Sequence, residues 1–252
     1  DVIRMSDAPT VKTLQDAGVY QSHRVPFDAR LDGNAKVSKE GYYYRYSSSV
    51  YTVGHNAELV KGADRPTSWK DLVNPKWRNK VGIVSVDAGG SSAALARFAL
   101  SKFGEPYLHA YAAQNPRIYT SAAGLLTSLA RGEILVGHVI PARVSVAKEE
   151  SGAPVTFIIP EEGLSGWDFF IGQTRASKKA AAKLFINWTM SRYGQQMLSE
   201  LGDYPARTDV STPVVMGVAL PPLNRVFRMS VEEASRTQAP DRDLWYKTFR
   251  QK

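Results

Sequence analysis

Val81-Gly-Ile-Val-Ser-Val-Asp-Ala-Gly-Gly-Ser-Ser92 is the stretch on which the fold of this chain turns. Val81 to Val86 is a compact apolar run of strand length. The Asp87-Ala-Gly-Gly-Ser-Ser92 segment follows, and then Leu95, Phe98 and Ala99 fall on one face of a predicted helix, with Gly104 as its C-terminal stop. A strand, a glycine-rich turn and a helix make the repeating unit of an α/β protein.

The same alternation continues downstream. Tyr107 to Ala113 reads as a short helix, and Tyr119-Thr-Ser-Ala122 opens another with Leu125, Leu126 and Leu129 inward and Gly132 at its end. Ile134–Ile140 is a buried strand, Arg143–Glu150 a helix, and Val155–Ile159 and Trp167–Ile171 are strands. Ala181, Leu184, Phe185 and Trp188 give the clearest helical stripe, at i, i+3, i+4 and i+7. Upstream, Asp1–Met5 is a strand, Val11 and Leu14 share a helical face before Gly18, and Tyr42–Val53 is extended. Ser68–Leu72 is a capped turn of helix ended by Asn74-Pro75, and the tail from Pro213 is helical in pieces. This order predicts an α/β fold around mostly parallel sheets, with ligands at the carboxyl ends of strands, where helices begin.

Composition narrows the function classes. The 252 residues can bury one large core or two lobes. There is no cysteine, which removes disulfides and thiolate metal sites. No run reaches the roughly 18–20 apolar residues that span a bilayer. The start, Asp1-Val-Ile-Arg-Met5, is not a signal peptide, so the stretch reads as a mature product or as one lacking its beginning. Net charge is +8, but Lys and Arg are scattered rather than clustered, so no nucleic-acid partner is expected; the field instead favours anionic solutes.

Two segments could hold a ligand. In Asp87–Ser92, glycines allow close backbone approach, and Gly90, Ser91 and Ser92 open a helix whose free N–H groups and dipole suit an anion. Thr120 and Ser121 repeat the theme. The plain reading of each serine is an ordinary N-cap. His23, His55, His109 and His138 form no metal-ligand spacing, and His138 reads as a satisfied core residue. No nucleophile elbow, P-loop or dinucleotide fingerprint is present, so no enzyme, cofactor or metal is expected. Tyr42-Tyr43-Tyr44 reads as strand aromatics packing on a sheet, with Tyr42 and Tyr44 on one face.

Longer motifs carry a resemblance. Gly41-Tyr-Tyr-Tyr44 through Val53-Gly-His-Asn56 is followed by Pro66-Thr-Ser-Trp-Lys-Asp-Leu72 and Asn74-Pro-Lys-Trp-Arg-Asn-Lys80. Later come Gly132-Glu-Ile-Leu-Val-Gly137, Gly152-Ala-Pro-Val155 to Pro160-Glu-Glu-Gly163, Ala181 to Gly194, and Tyr204-Pro-Ala-Arg207. In this order they resemble the bacterial extracellular solute-binding proteins of ABC transporters, in the branch of ferric-iron, phosphonate, sugar-phosphate, thiamine and polyamine binders. The resemblance implies a type II periplasmic-binding fold of two α/β lobes closing on a ligand as a hinged clamp. Lobe one would be 1–78 plus 166–205, lobe two 79–165, and 206–252 a helical tail packing across both. It also implies a periplasmic, monomeric protein that hands a small-molecule solute to a membrane permease. The cleft would be lined by Ser6, Asp7, Ser49, Gly90, Ser91, Ser92, Thr120, Ser121, Arg143, Trp167 and Asp168.

Two departures from the family pattern refine this expectation. Ferric binders carry adjacent tyrosines where this chain has Ile140-Pro-Ala-Arg143, so iron lacks its phenolate pair, while an arginine suits a phosphonate, phosphate ester or carboxylate. Family members also begin with a strand–helix–strand unit before the stretch matching Asp1, which the resemblance implies is missing here. The rival readings are a polyamine or thiamine binder using Asp7 or Asp168, a ferric-iron binder, and a transferase-like enzyme on a two-lobed fold.

Overall fold

The structure, a computed structural model, describes residues 1–249. In chain order the elements are β1 (Val2–Met5), α1 (Ala8–Asp16), β2 (Tyr20–Gln21), β3 (Tyr44–Asn56), β4 (Val81–Val84), α2 (Gly90–Phe103) and α3 (Glu105–Ala113). Then come β5 (Arg117–Tyr119), α4 (Ala122–Ala130), β6 (Val136–Val139), α5 (Pro141–Ser151), β7 (Val155–Phe157) and β8 (Ser165–Thr174). The chain continues with α6 (Ala180–Met190), α7 (Arg192–Glu200), β9 (Tyr204–Pro205), β10 (Val214–Val215), β11 (Val218–Ala219) and α8 (Val231–Phe249). The starts and stops have local causes. Asp7 caps α1, and Gly18, two residues past its end, takes φ +66°. Gly104 closes α2 at φ +74°, and Gly152 closes α5 in the left-handed region. Ser68 and Asp71 form a reciprocal capping box on the turn Trp69–Val73.

The chain divides into two compact units. Unit one comprises Asp1–Ser49, Trp167–Leu223 and Met229–Ser235; among the described residues unit two comprises Val50–Gly166, Asn224–Arg228 and 236–249. Residues 50–78, expected in lobe one, group with unit two. The reasons are visible in the packing: the second half of β3 pairs with β6 and β7, Trp69 packs on Phe98 at 5.0 Å, and Tyr107 Oη donates to the Trp69 carbonyl at 2.8 Å. The expected helical tail holds a β10–β11 hairpin before α8 begins, and its segments alternate between the units; residues 250–252 lie outside the described residues.

Sheet pairing departs from the mostly parallel expectation. In unit one, β1 and β2 run antiparallel to β8, and β9 antiparallel to β3. In unit two, β6 and β7 run antiparallel to β3. Parallel pairing joins β4 with β5 and β4 with β6. The helical crossovers β1–α1–β2 and β5–α4–β6 each join two strands of the same direction, but the strand between them runs the opposite way in unit one, where it is β8, and the same way in unit two, where it is β4.

The core follows the apolar pattern in most elements. Leu95, Phe98 and Ala99 of α2 are buried, as are Leu125 and Leu129 of α4, whereas Leu126 is only half-buried. Tyr43 packs with Tyr20 and Phe170, and Tyr44 with Val25 and Ile171, so these tyrosines are sheet-packing residues. Because β3 starts at Tyr44, Tyr42 lies outside the strand and joins the cluster of Tyr43 rather than that of Tyr44. Helix α6 is where the stripe predicts, but its buried face is Ala182, Ile186, Thr189 and Met190; Leu184 and Trp188 are 67% and 48% exposed. Stripe width alone did not say which face meets the sheet.

Helix α7 comes so close to the end of α6 that a Cβ on Gly194 would stand 2.3 Å from the Trp188 carbonyl oxygen and 3.0 Å from that of Thr189. Alanine is the better helix former by up to about 1 kcal/mol, but a clash with backbone cannot be relieved by a rotamer change. Gly194→Ala is therefore expected to destabilise unit one by about 1–3 kcal/mol, seen as an earlier urea midpoint; an unchanged or later midpoint would show that the two helices can separate freely.

Candidate ligand-binding site

In unit two the three parallel strands each run into a helix start. β4 leads to α2, β5 to α4 and β6 to α5, with β4 between the other two. The N-termini of these helices therefore stand at the carboxyl edge of one sheet, where backbone N–H groups and helix dipoles are available to a ligand. Gly89 makes the turn into α2 with φ +125° and ψ −173°, a conformation open to glycine and strained for other residues.

The three starts differ in what they leave free. Helix α4 is closed by Ser121, whose Oγ accepts from the Gly124 N–H at 3.1 Å, as an ordinary N-cap does. Helices α2 and α5 have no side-chain cap. Within α2, Ser92 Oγ turns back to donate to the carbonyls of Gly89 at 2.8 Å and Val86 at 3.0 Å, and the residue is buried. Ser91 Oγ lies 3.5 Å from Tyr51 Oη. Thr120 and Arg143 are exposed, the latter in the first turn of α5, which Pro141 opens. Gly90, Ser91, Thr120, Ser121 and Arg143 thus share one edge of unit two, with Ser92 beneath it.

Three residues not singled out from sequence shape this edge. Tyr51 of β3 is 1% exposed; burial raises its hydroxyl pKa, opposed by the Ser91 hydrogen bond, so it remains a neutral phenol. Its ring meets His138 edge-on at 5.3 Å. Tyr246 of α8 donates to Asp87 Oδ1 at 2.6 Å, and Arg242 lies 3.6 Å from the same oxygen. The carboxylate nearest the α2 start is therefore compensated. Only tertiary structure joins positions 87, 242 and 246; no local sequence signal links them.

His138 is the satisfied core residue expected. Its Nε2 accepts the Val84 N–H at 3.0 Å, so Nδ1 carries the proton, and burial pulls its pKa down to about 3.

Unit one gathers the remaining candidates. The register that sets Met5 opposite Phe170 brings Ser6 and Asp7 to the Trp167 end of β8. Asp7 accepts from the Thr10 N–H at 3.2 Å and from the Thr10 hydroxyl. Asp168 accepts from Ser48 Oγ at 2.6 Å; Ser48 in turn accepts from Arg45, which is fully buried and paired to Asp32 at 2.7 Å. Ser49 and Trp167 are buried, the indole edge-on to Phe169 at 6.0 Å. Both carboxylates of this group are thus held by intramolecular hydrogen bonds.

The family profile described as "Bacterial extracellular solute-binding protein" matches residues 1–247. The chain belongs to that family. A protein of Haemophilus influenzae without a described function is 31% identical over 175 residues, 63% of this chain and 49% of that protein. A Salmonella typhimurium relative bearing the name "Putative 2-aminoethylphosphonate-binding periplasmic protein" is 27% identical over 178 residues, 66% of this chain and 51% of the relative. The chain spans about half the length of these curated relatives. Among solved structures it is similar to the periplasmic binding protein AfuA of Actinobacillus pleuropneumoniae, in a complex with fructose-6-phosphate, with a TM-score of 0.82 at 17% identity, covering 100% of this chain and 83% of AfuA. Iron-bound HitA of Pseudomonas aeruginosa aligns with a TM-score of 0.77 at 20% identity, over 97% and 82% of the two chains. The fold is accordingly the α/β type II periplasmic-binding fold. Among the described residues no helix is long and apolar enough to cross a membrane.

His138 also sets a pH dependence. Its folded pKa lies below the ordinary histidine value of about 6.5, so its contribution to stability is complete above 6.5 and is lost as pH falls toward 3. Between pH 7 and pH 5 the expected loss is about 2 kcal/mol, measured by urea unfolding at the two pH values. A His138→Gln variant, which keeps an acceptor for Val84, should show a shallower dependence; an identical slope would assign it elsewhere.

Proposed function

We propose that this protein captures a small anionic solute, a phosphonate, phosphate ester or carboxylate, as the periplasmic binding component of an ABC uptake transporter, and catalyses no reaction. The observation that carries this reading is the pair of helix starts, α2 and α5, that meet the carboxyl edge of one parallel sheet without a side-chain cap. The N–H groups of Gly90 and Ser91 in α2 and of Ala142 in α5 suit an oxyanion, whereas Pro141 has none and those of Ser92 and Arg143 bond the Gly89 and Ile140 carbonyls. Ser91, Thr120 and the exposed Arg143 supply hydroxyls and a fixed charge beside them, and the neighbouring carboxylate of Asp87 is compensated by Tyr246 and Arg242. The net charge of +8 adds a field of the same sign.

The relatives support the class of ligand without naming it. One carries 2-aminoethylphosphonate in its name and one similar structure holds fructose-6-phosphate, while another holds iron. A shared fold does not choose among these chemistries. The cationic alternatives draw less support: Asp7 caps α1 and Asp168 accepts from Ser48, so each carboxylate already has a structural task. The partners on this reading are the solute and a membrane permease, with the binding protein acting as a monomer and without nucleic acid.

Calorimetric titration with phosphonates, sugar phosphates, carboxylates, polyamines and ferric iron tests the proposal. An anion should bind, and Arg143→Ala should weaken it by about 1.5–3 kcal/mol, roughly ten- to hundredfold. Binding of cations or metals alone would sink it.

A further inference from the structure

Unit two contains a second concavity, at the opposite end of α5 from Arg143. It has a volume of about 650 Å³, within the range of small-molecule sites. Its walls come from two segments that the function above leaves unused: the turn Gly152-Ala-Pro-Val155 with β7, and the loop Arg65-Pro-Thr67. Lys148, in the last turn of α5, and Glu58 complete the charged lining.

Charge in this pocket is unbalanced. Among the described residues neither Arg65 nor Lys148 has an ion-pair partner, and Glu58 is the one carboxylate facing two cations. The carboxyl end of α5 adds only a partial negative charge, with the carbonyls of Lys148 and Ala147 taken by Gly152 N–H at 3.0 Å and Ala153 N–H at 3.3 Å. His55 also lines the pocket. It is 2% exposed, and both its ring nitrogens lack a hydrogen-bond partner among the described residues, an uncommon state for a buried polar group.

We propose that this pocket is a second binding site, separate from the helix starts, that takes a compact polyvalent oxyanion, either a phosphate group or a small polycarboxylate, between Arg65 and Lys148. The surroundings of His55 support it. Burial and, next, the Arg65 charge hold the imidazole pKa below its ordinary value. An anion seated beside the guanidinium would offset that charge and return the pKa toward ordinary, so His55 reports occupancy.

The test is NMR titration of the whole chain with inorganic phosphate and, separately, citrate, following the His55 ring resonances. One or both should shift them and raise the apparent His55 pKa, and which one acts distinguishes the two sources of charge. In an Arg65→Ala, Lys148→Ala double variant the affinity should fall at least about tenfold, while Arg143→Ala should leave it unchanged. Arg65 and Lys148 are exposed, so the double variant should fold, checked by its thermal melt. No His55 response to either anion at millimolar concentration, or equal affinity in the double variant, would overturn the proposal. A response abolished by Arg143→Ala would also overturn it, by assigning the anion to the helix starts.

Discussion

All thirteen residues of β3 are buried, and that burial constrains everything around it. The strand reads Tyr-Arg-Tyr-Ser-Ser-Ser-Val-Tyr-Thr-Val-Gly-His-Asn, so more than half of what it buries is polar. Buried polar groups must be paired, since leaving one unmade costs about 1–3 kcal/mol. The strand's neighbours supply the pairing. Arg45 reaches Asp32, Ser48 reaches Asp168, Thr52 donates to the Ile158 carbonyl at 2.5 Å, and Asn56 donates to that of Leu129 at 2.9 Å. Each bond ties β3 to a distant segment of one of the two units to which it contributes. His55 and Ser47 are the members of this strand whose buried side-chain polar atoms stay unpaired among the described residues, and of the two it is His55 that lines the pocket.

The candidate site in unit two follows from a different constraint, the direction of three short strands. Because β4, β5 and β6 run parallel, their helices must all begin at one edge. What distinguishes the helix starts is whether the protein uses its own side chains to satisfy them. Ser121 does so for α4, and the hydroxyl of Ser92 is turned inward to carbonyls behind α2. The amides of α2 and α5 receive no such help. Equal-looking serines therefore have unequal parts: Ser91 faces Tyr51, while Ser92 and Ser121 hold backbone.

Much of this was legible in the residues. Gly104 closes α2 as its position suggested, and Ser68 caps its turn. The loop from Asp87 to Ser92 is a strand-to-helix turn, and His138 is a paired core residue. These features are local, decided within a few residues by φ, capping and short-range periodicity. The misreadings were not local. Strand–helix alternation suggested mostly parallel sheets, but pairing direction depends on partners far away in sequence. The stripe Leu184, Phe185 and Trp188 located α6 yet did not name its buried face, because amphipathicity says that two faces differ and not which one a sheet will cover.

Most element types, many of their ends, the α/β class and, through ordered motifs, membership of the solute-binding family could be read from the residues alone. Those properties are short-ranged or distributed along the chain in order. Folding in three dimensions was needed to place residues 50–78 in unit two, to bring the Tyr246 hydroxyl and the Arg242 charge to Asp87, and to engage Asp168 with Ser48. Each of these is a pairing across tens to more than a hundred positions, set by which buried polar group finds which partner. No property of either residue alone contains that information.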